Sequence, residues 1–120
     1  MAPGPTAGAR GGFLTGNDLY ERCTSEGALY AYCLAYVEGI LDAGDVEGYT
    51  EAVQDQGKAI RSLSQSAIAG WQWCLPKKGT TLRQAADVVT KFLRDNPQLR
   101  HARAPVLVAK AIHEVWPCPH

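Results

Sequence analysis

Four cysteines are dispersed along this chain of 120 residues. They are Cys23, Cys33, Cys74 and Cys118. No two of them form the Cys-x-x-Cys pair of a zinc ribbon or of a thioredoxin-type redox centre. Four free thiols are more than a cytosolic chain of this size is expected to carry, whereas an even, widely spaced set is typical of disulfides formed in an oxidising compartment. The sequence therefore predicts a small domain locked by two disulfides.

The composition argues against two classes of function. Hydrophobic residues form 46% of the chain, enough for one core, yet no apolar run approaches the roughly 20 residues of a membrane span. Twelve basic and twelve acidic residues leave no net charge, whereas phosphate binding normally needs a basic excess. We therefore expect no nucleic-acid partner and no membrane span.

The zero net charge hides two halves of opposite sign. Residues 1–60 contain three basic and nine acidic side chains, a net charge of −6, and residues 61–120 contain nine basic and three acidic side chains, a net charge of +6. The halves either pair inside the domain or present two faces of opposite charge, which would favour association with a charged partner. The pattern leaves both arrangements open.

Helix signals divide the chain after its first twelve residues. Residues 1–12 are rich in Ala, Gly and Pro without the apolar run of an export signal, so we interpret them as a flexible leader or the remnant of a removed signal, and 13–120 as the folded domain. Capping-box spacing at Thr15 and Thr81 predicts the starts of two helices, over 15–23 and 81–95. Apolar residues at helical intervals predict two more, over 28–43 and 105–116.

Two glycines and one segment complete the fold prediction. Gly44 is expected to end the second helix, and Gly39 inside it to permit a close helix–helix contact. Residues 45–70 are compatible with one or two polar-faced helices, and no alternating pattern predicts a strand. We expect an all-α, single-domain bundle of four to five helices with structural disulfides.

The residues capable of chemistry form no recognisable reactive pattern. The histidines lack zinc-peptidase spacing, and no glycine-rich loop follows a strand to hold a phosphate. A small enzyme using Cys118 or His113 is the weakest interpretation, because Cys118 lies in a proline-flanked tail. Trp71 and Trp73 either contact a partner or, as such pairs do more often, cover the core beside a disulfide. We predict no catalytic residue, metal ligand or cofactor.

Several short strings, in order along the chain, resemble the Rap/Tai family of type VI secretion immunity proteins. They are residues 13–19 with Cys23, 33–40 with Asp42, 74–76, 81–82 with Gln84 and 87–89, 92–97, 100–101 and 116–118. The likeness covers residues 13–118 apart from 45–70. The order of the strings together with the four cysteines makes the set fairly specific.

The resemblance implies a small helical protein exported to the periplasm of a Gram-negative bacterium. There it would bind a peptidoglycan amidase toxin injected by another cell and obstruct its cysteine–histidine active site. Several members of that family act as homodimers, so the candidate partners are the cognate amidase and a second copy of the chain. The alternative is a small periplasmic helical binding or chaperone-like protein without a cognate toxin.

The segment outside the resemblance supplies the candidate partner-binding residues. They are Asp45, Glu47, Tyr49, Glu51 and Asp55. These charged and aromatic side chains suit a hydrated, protruding surface, and their plainer interpretation is a solvated loop or helix face.

Helix geometry suggests how the cysteines pair. If the last two helices form an antiparallel hairpin, Cys118 returns close to Cys74, while Cys23 and Cys33 flank the first turn between helices. We favour the pairs 23–33 and 74–118, and the alternative is 23–118 with 33–74.

Overall fold

The computed structural model describes residues 13–54, 66–76 and 78–119, with the side chains of all these except 46–54 and 66. This part of the chain is mostly helical, as predicted, but it is not strictly all-α because it contains a two-stranded antiparallel hairpin. The elements follow in the order α1 (Gly16–Cys23), α2 (Ala28–Gln54), β1 (Ser66–Ile68), β2 (Trp71–Trp73), α3 (Leu82–Asp95), a single 3₁₀ turn (Pro97–Leu99) and α4 (Ala104–Val115).

Both predicted capping boxes are present. The Thr15 hydroxyl accepts a hydrogen bond from the Asp18 backbone N–H (3.2 Å), and the Asp18 carboxylate accepts one from the Thr15 N–H (3.0 Å). Thr81 and Gln84 make the same exchange at the start of α3, at 3.1 and 2.9 Å. Each exchange satisfies backbone donors at the helix start, so α1 and α3 begin where the sequence predicts.

The second helix is longer than predicted, because Gly44 does not end it. Gly44 is buried within α2, where a Cβ would overlap the indole of Trp73. The glycine is needed for this close approach of the hairpin and not for a turn. The close contact expected at Gly39 is also wrong within the monomer, since a Cβ there would meet nothing within 4 Å.

The hairpin is the element that the sequence analysis missed. Ser66, Ala67 and Ile68 pair with Trp73, Gln72 and Trp71 across a two-residue turn. Both turn residues have positive φ, 55° at Ala69 and 83° at Gly70. Turns of this kind usually carry Asn-Gly or Asp-Gly, and three-residue strands are too short to display an alternating pattern. The sequence signal was therefore weak at both the turn and the strands.

The core is formed by α1, α3, α4, Trp73 and the inner face of α2. Its largest fully buried side chains are Leu19, Cys33, Val37, Trp73, Val89, Leu93, Val108 and Ile112. The apolar stripes expected on the helices are mostly confirmed. Leu29 and Val115 are the exceptions, at 45% and 50% exposure, because each lies in the terminal turn of its helix at the margin of the core.

The disulfides are Cys23–Cys33 and Cys74–Cys118, the pairing favoured from helix geometry. The first joins the end of α1 to the second turn of α2. The second joins the residue after β2 to the segment after α4, where the Cys74 N–H also donates to the Trp116 carbonyl (2.9 Å). The chain therefore does return beside Cys74 after α4.

Candidate partner-binding surface

The second half of α2 carries most of the predicted binding residues. Asp45 is exposed, and Glu47, Tyr49 and Glu51 follow in the same continuous helix, although their side chains lie outside the description. Asp55 lies outside the described residues, as do residues 1–12. Of the arrangements left open for this segment, the structure shows a helix as far as Gln54. A helix holds successive residues at fixed spacing, so the backbone of this segment is regular.

The β1–β2 hairpin contacts both α4 and α2. His113 contacts the Gln72 carbonyl through Nδ1 (2.6 Å), and its ring centre lies 5.1 Å from that of Trp71. Lys110 places its Nζ 4.7 Å from the Trp71 ring centre. Trp73 is buried next to Cys74, which confirms that it covers the core beside a disulfide. These contacts hold the hairpin on α4, and Trp73 of the hairpin packs against Gly44 of α2.

A groove runs along the edge of α2 that faces α3. It has a volume of about 240 Å³. Its lining residues are Glu38, Leu41, Asp42 and Asp45 of α2, Leu75, Thr80 and Thr81 of the segment before α3, and Leu82 and Ala85 of α3. The acidic residues form one wall and the leucines form the floor. No local sequence pattern indicates this groove, because its two sides are about forty residues apart in the chain.

The opposite edge of α2 carries an ordered stack of side chains. The Arg22 guanidinium lies 4.7 Å from the Tyr32 ring centre, and Tyr32 stacks on Tyr36 with ring centres 6.4 Å apart. Burial, and then the neighbouring Tyr32, raises the pKa of Tyr36. Ordered Arg and Tyr side chains are typical of the energetic centres of protein interfaces. The i, i+4 spacing of the two tyrosines is the sequence signal that indicates this stack.

The side chains considered as reactive groups, Cys118 and His113, both have partners in the structure. None of the His, Cys, Asp and Glu side chains of the described residues form a group of three or more suited to a metal ion. Cys118 is oxidised in a disulfide, so it offers no thiolate nucleophile, and the His113 ring is engaged with Gln72 and Trp71. Within the same ranges no helix combines the length and apolarity needed to cross a bilayer.

A comparison with family models decides which proteins this chain resembles. The model of the Rap1a immunity proteins matches residues 15–118, from the N-cap of α1 to the last cysteine. The chain belongs to the Rap1a immunity protein family. Comparisons with curated proteins and with solved structures gave no match. The Rap1a match includes both disulfides and every described element, and it confirms the resemblance seen in the sequence.

Membership of the Rap1a family implies an immunity function against a secreted effector. A protein with this function binds a cognate toxin, and proteins of this class are generally non-enzymatic. A stable, disulfide-locked helical scaffold with exposed helix faces is suited to such binding.

Proposed function

We propose that this Rap1a protein acts in the periplasm, where it binds a peptidoglycan amidase effector of a type VI secretion system and blocks its active site. The observation that carries the proposal is the family match over residues 15–118. The two disulfides support an oxidising compartment such as the periplasm.

The proposed contact residues are those predicted from the sequence, Asp45, Glu47, Tyr49, Glu51 and Asp55. Blocking an active site requires a surface that is already ordered before binding, because ordering it during binding would reduce affinity. The continuous α2 helix, held by Trp73 at Gly44, provides this order for residues 45–54. Carboxylates at the rim of an interface mainly accelerate association with a basic partner.

Self-association through the outer face of α2 is a second part of the proposal. Ala31, Ala35 and Gly39 are exposed at four-residue intervals on this face, with Tyr32 beside them. Gly39 has open space around its Cβ position, so a second helix could approach its backbone closely. A two-fold dimer is the commonest symmetric arrangement and brings the same face of both protomers together.

Affinity capture from the native host tests the function. The tagged chain, exported to the periplasm, is expected to retain a secreted peptidoglycan amidase. An equimolar amount of the purified chain should then abolish the hydrolysis of isolated peptidoglycan by that enzyme. Recovery of no peptidoglycan hydrolase contradicts the proposal, and recovery of many unrelated unfolded proteins favours the chaperone-like alternative.

A matched pair of variants tests the contact surface. Glu47→Gln/Glu51→Gln removes two charges from the proposed surface, and Glu21→Gln/Glu26→Gln removes two exposed charges from α1 and the loop after it. We expect the first variant to weaken binding of the captured amidase about tenfold, mainly through a slower on-rate, and the second to have little effect. Equal effects of the two variants would rule out a specific contact at α2.

A further inference from the structure

The groove between α2 and α3 has two chemically different sides. Its floor consists of the partly buried side chains of Leu41, Leu75 and Leu82, and one wall carries the exposed carboxylates of Glu38 and Asp42. These two residues are four positions apart in the helix, so their like charges lie on adjacent turns and repel each other. A cation placed between them would remove this repulsion.

The chain itself does not supply that cation within its described residues. Glu38 and Asp42 have neither an ion pair nor a side-chain hydrogen bond among them. Arg83, in the first turn of α3, lies 5.2 Å from the Tyr30 ring centre and does not line the groove. Asp45 has an interaction of its own, so the inference depends on Glu38 and Asp42 alone.

Size and polarity restrict the occupant further. The volume of about 240 Å³ is below the ~300–1,000 Å³ of typical small-molecule sites, so the groove suits a single side chain. Among the described residues its carboxylates belong to no group that could hold a metal ion. An apolar floor beside an anionic wall matches a long side chain with an apolar stem and a cationic head.

We propose that this groove receives an arginine side chain of the effector, an inference that rests on the proposed function. The aliphatic stem lies on the three leucines, and the guanidinium donates to Glu38 and Asp42. Arginine fits better than lysine because its planar group presents several donors and can reach two carboxylates at once. Asp45 lines the groove and is also one of the proposed contact residues, so one partner can contact both.

A peptide titration tests the groove without the effector. The probe is acetyl-Leu-Arg-Leu-amide, and its matched control contains citrulline, which is neutral, in place of arginine. Methyl NMR of the full chain is expected to show saturable shifts at Leu41, Leu75 and Leu82 with the arginine peptide. The dissociation constant should rise about tenfold with the citrulline peptide or in the Glu38→Gln/Asp42→Asn variant. Absence of shifts at these leucines, or equal affinity for the two peptides, overturns the proposal.

A second measurement tests whether the effector uses the groove. Glu38→Gln/Asp42→Asn is expected to weaken binding of the captured amidase about tenfold, whereas Glu21→Gln/Glu26→Gln, with the same change in net charge, leaves it unchanged. Unchanged affinity of the groove variant overturns the assignment of an effector arginine to this site. If no amidase is captured, the proposed function fails, and the peptide titration still decides whether the groove binds a guanidinium.

Discussion

Two glycines in α2 show how the same residue type has different roles at different positions. Gly44 is buried against Trp73, and its missing Cβ leaves the space that the indole occupies. Gly39, five residues earlier in the same helix, is exposed and has no neighbour within 4 Å of its Cβ position. The sequence predicts that glycine weakens a helix but does not say which glycine has a packing partner, because that partner comes from a distant strand.

The pair provides a matched test of this difference. We expect Gly44→Ala to destabilise the protein by about 1–2 kcal/mol, because overlap with Trp73 outweighs the better helix propensity of Ala. Gly39→Ala should stabilise it by about 1 kcal/mol, because only the propensity changes. Urea unfolding at a concentration where the chain is monomeric measures both. Similar changes at the two positions would show that Trp73 does not pack closely on Gly44.

At the level of elements, helix starts were more predictable than helix contacts. The starts of α1 and α3 depend on hydrogen bonds between residues three apart, so Thr15 and Thr81 indicate them directly. The hairpin depends on Trp71 and Trp73 finding support on α4 and α2, which no local pattern reveals. The groove was missed for the same reason, since its floor combines residues of α2 with residues of α3 and the segment before it.

The disulfides join elements over very different lengths of chain. Cys74–Cys118 spans 44 residues and Cys23–Cys33 spans 10. Loop-closure entropy predicts a loss of about 4 kcal/mol for Cys74→Ala/Cys118→Ala and about 2.7 kcal/mol for Cys23→Ala/Cys33→Ala. Denaturant unfolding of the two double variants checks this order. A larger loss from the shorter bridge would show that native contacts around α1, and not chain entropy, dominate its effect.

For the whole molecule, contacts between arginines and aromatic rings join the two halves of opposite charge. Among the described residues, the ion pairs Lys91–Asp95 and Lys110–Glu114 lie within the basic half. Three arginines of that half, Arg83, Arg100 and Arg103, instead lie over aromatic rings of the acidic half. Their partners are Tyr30, Tyr20 and Phe13. Such contacts join the halves while carboxylates such as Glu38 and Asp42 stay exposed.

The proposed dimer has a test at this scale. The outer face of α2 combines the small residues around Ala35 with the exposed carboxylate of Glu38, whose repulsion between the two protomers is screened by salt, so we expect association to persist between about 0.05 and 0.5 M NaCl. Ala35→Glu should yield a monomer, whereas Gln98→Glu, which adds the same charge outside this face, should not. Sedimentation velocity of the three proteins measures the outcome. Dissociation at high salt would assign self-association to the charged halves instead.

The sequence by itself determined the features that depend on neighbouring residues or on the order of motifs. These are the helix starts, the apolar stripes and the membership of an immunity family. The tertiary structure decided which partners distant residues meet. Gly44 belongs to the interior of a long helix because Trp73 packs on it, and Glu38 and Asp42 form a groove wall because the segment before α3 returns beside α2. The physical reason is that helix signals act within one turn, whereas close packing joins surfaces that are far apart in the chain.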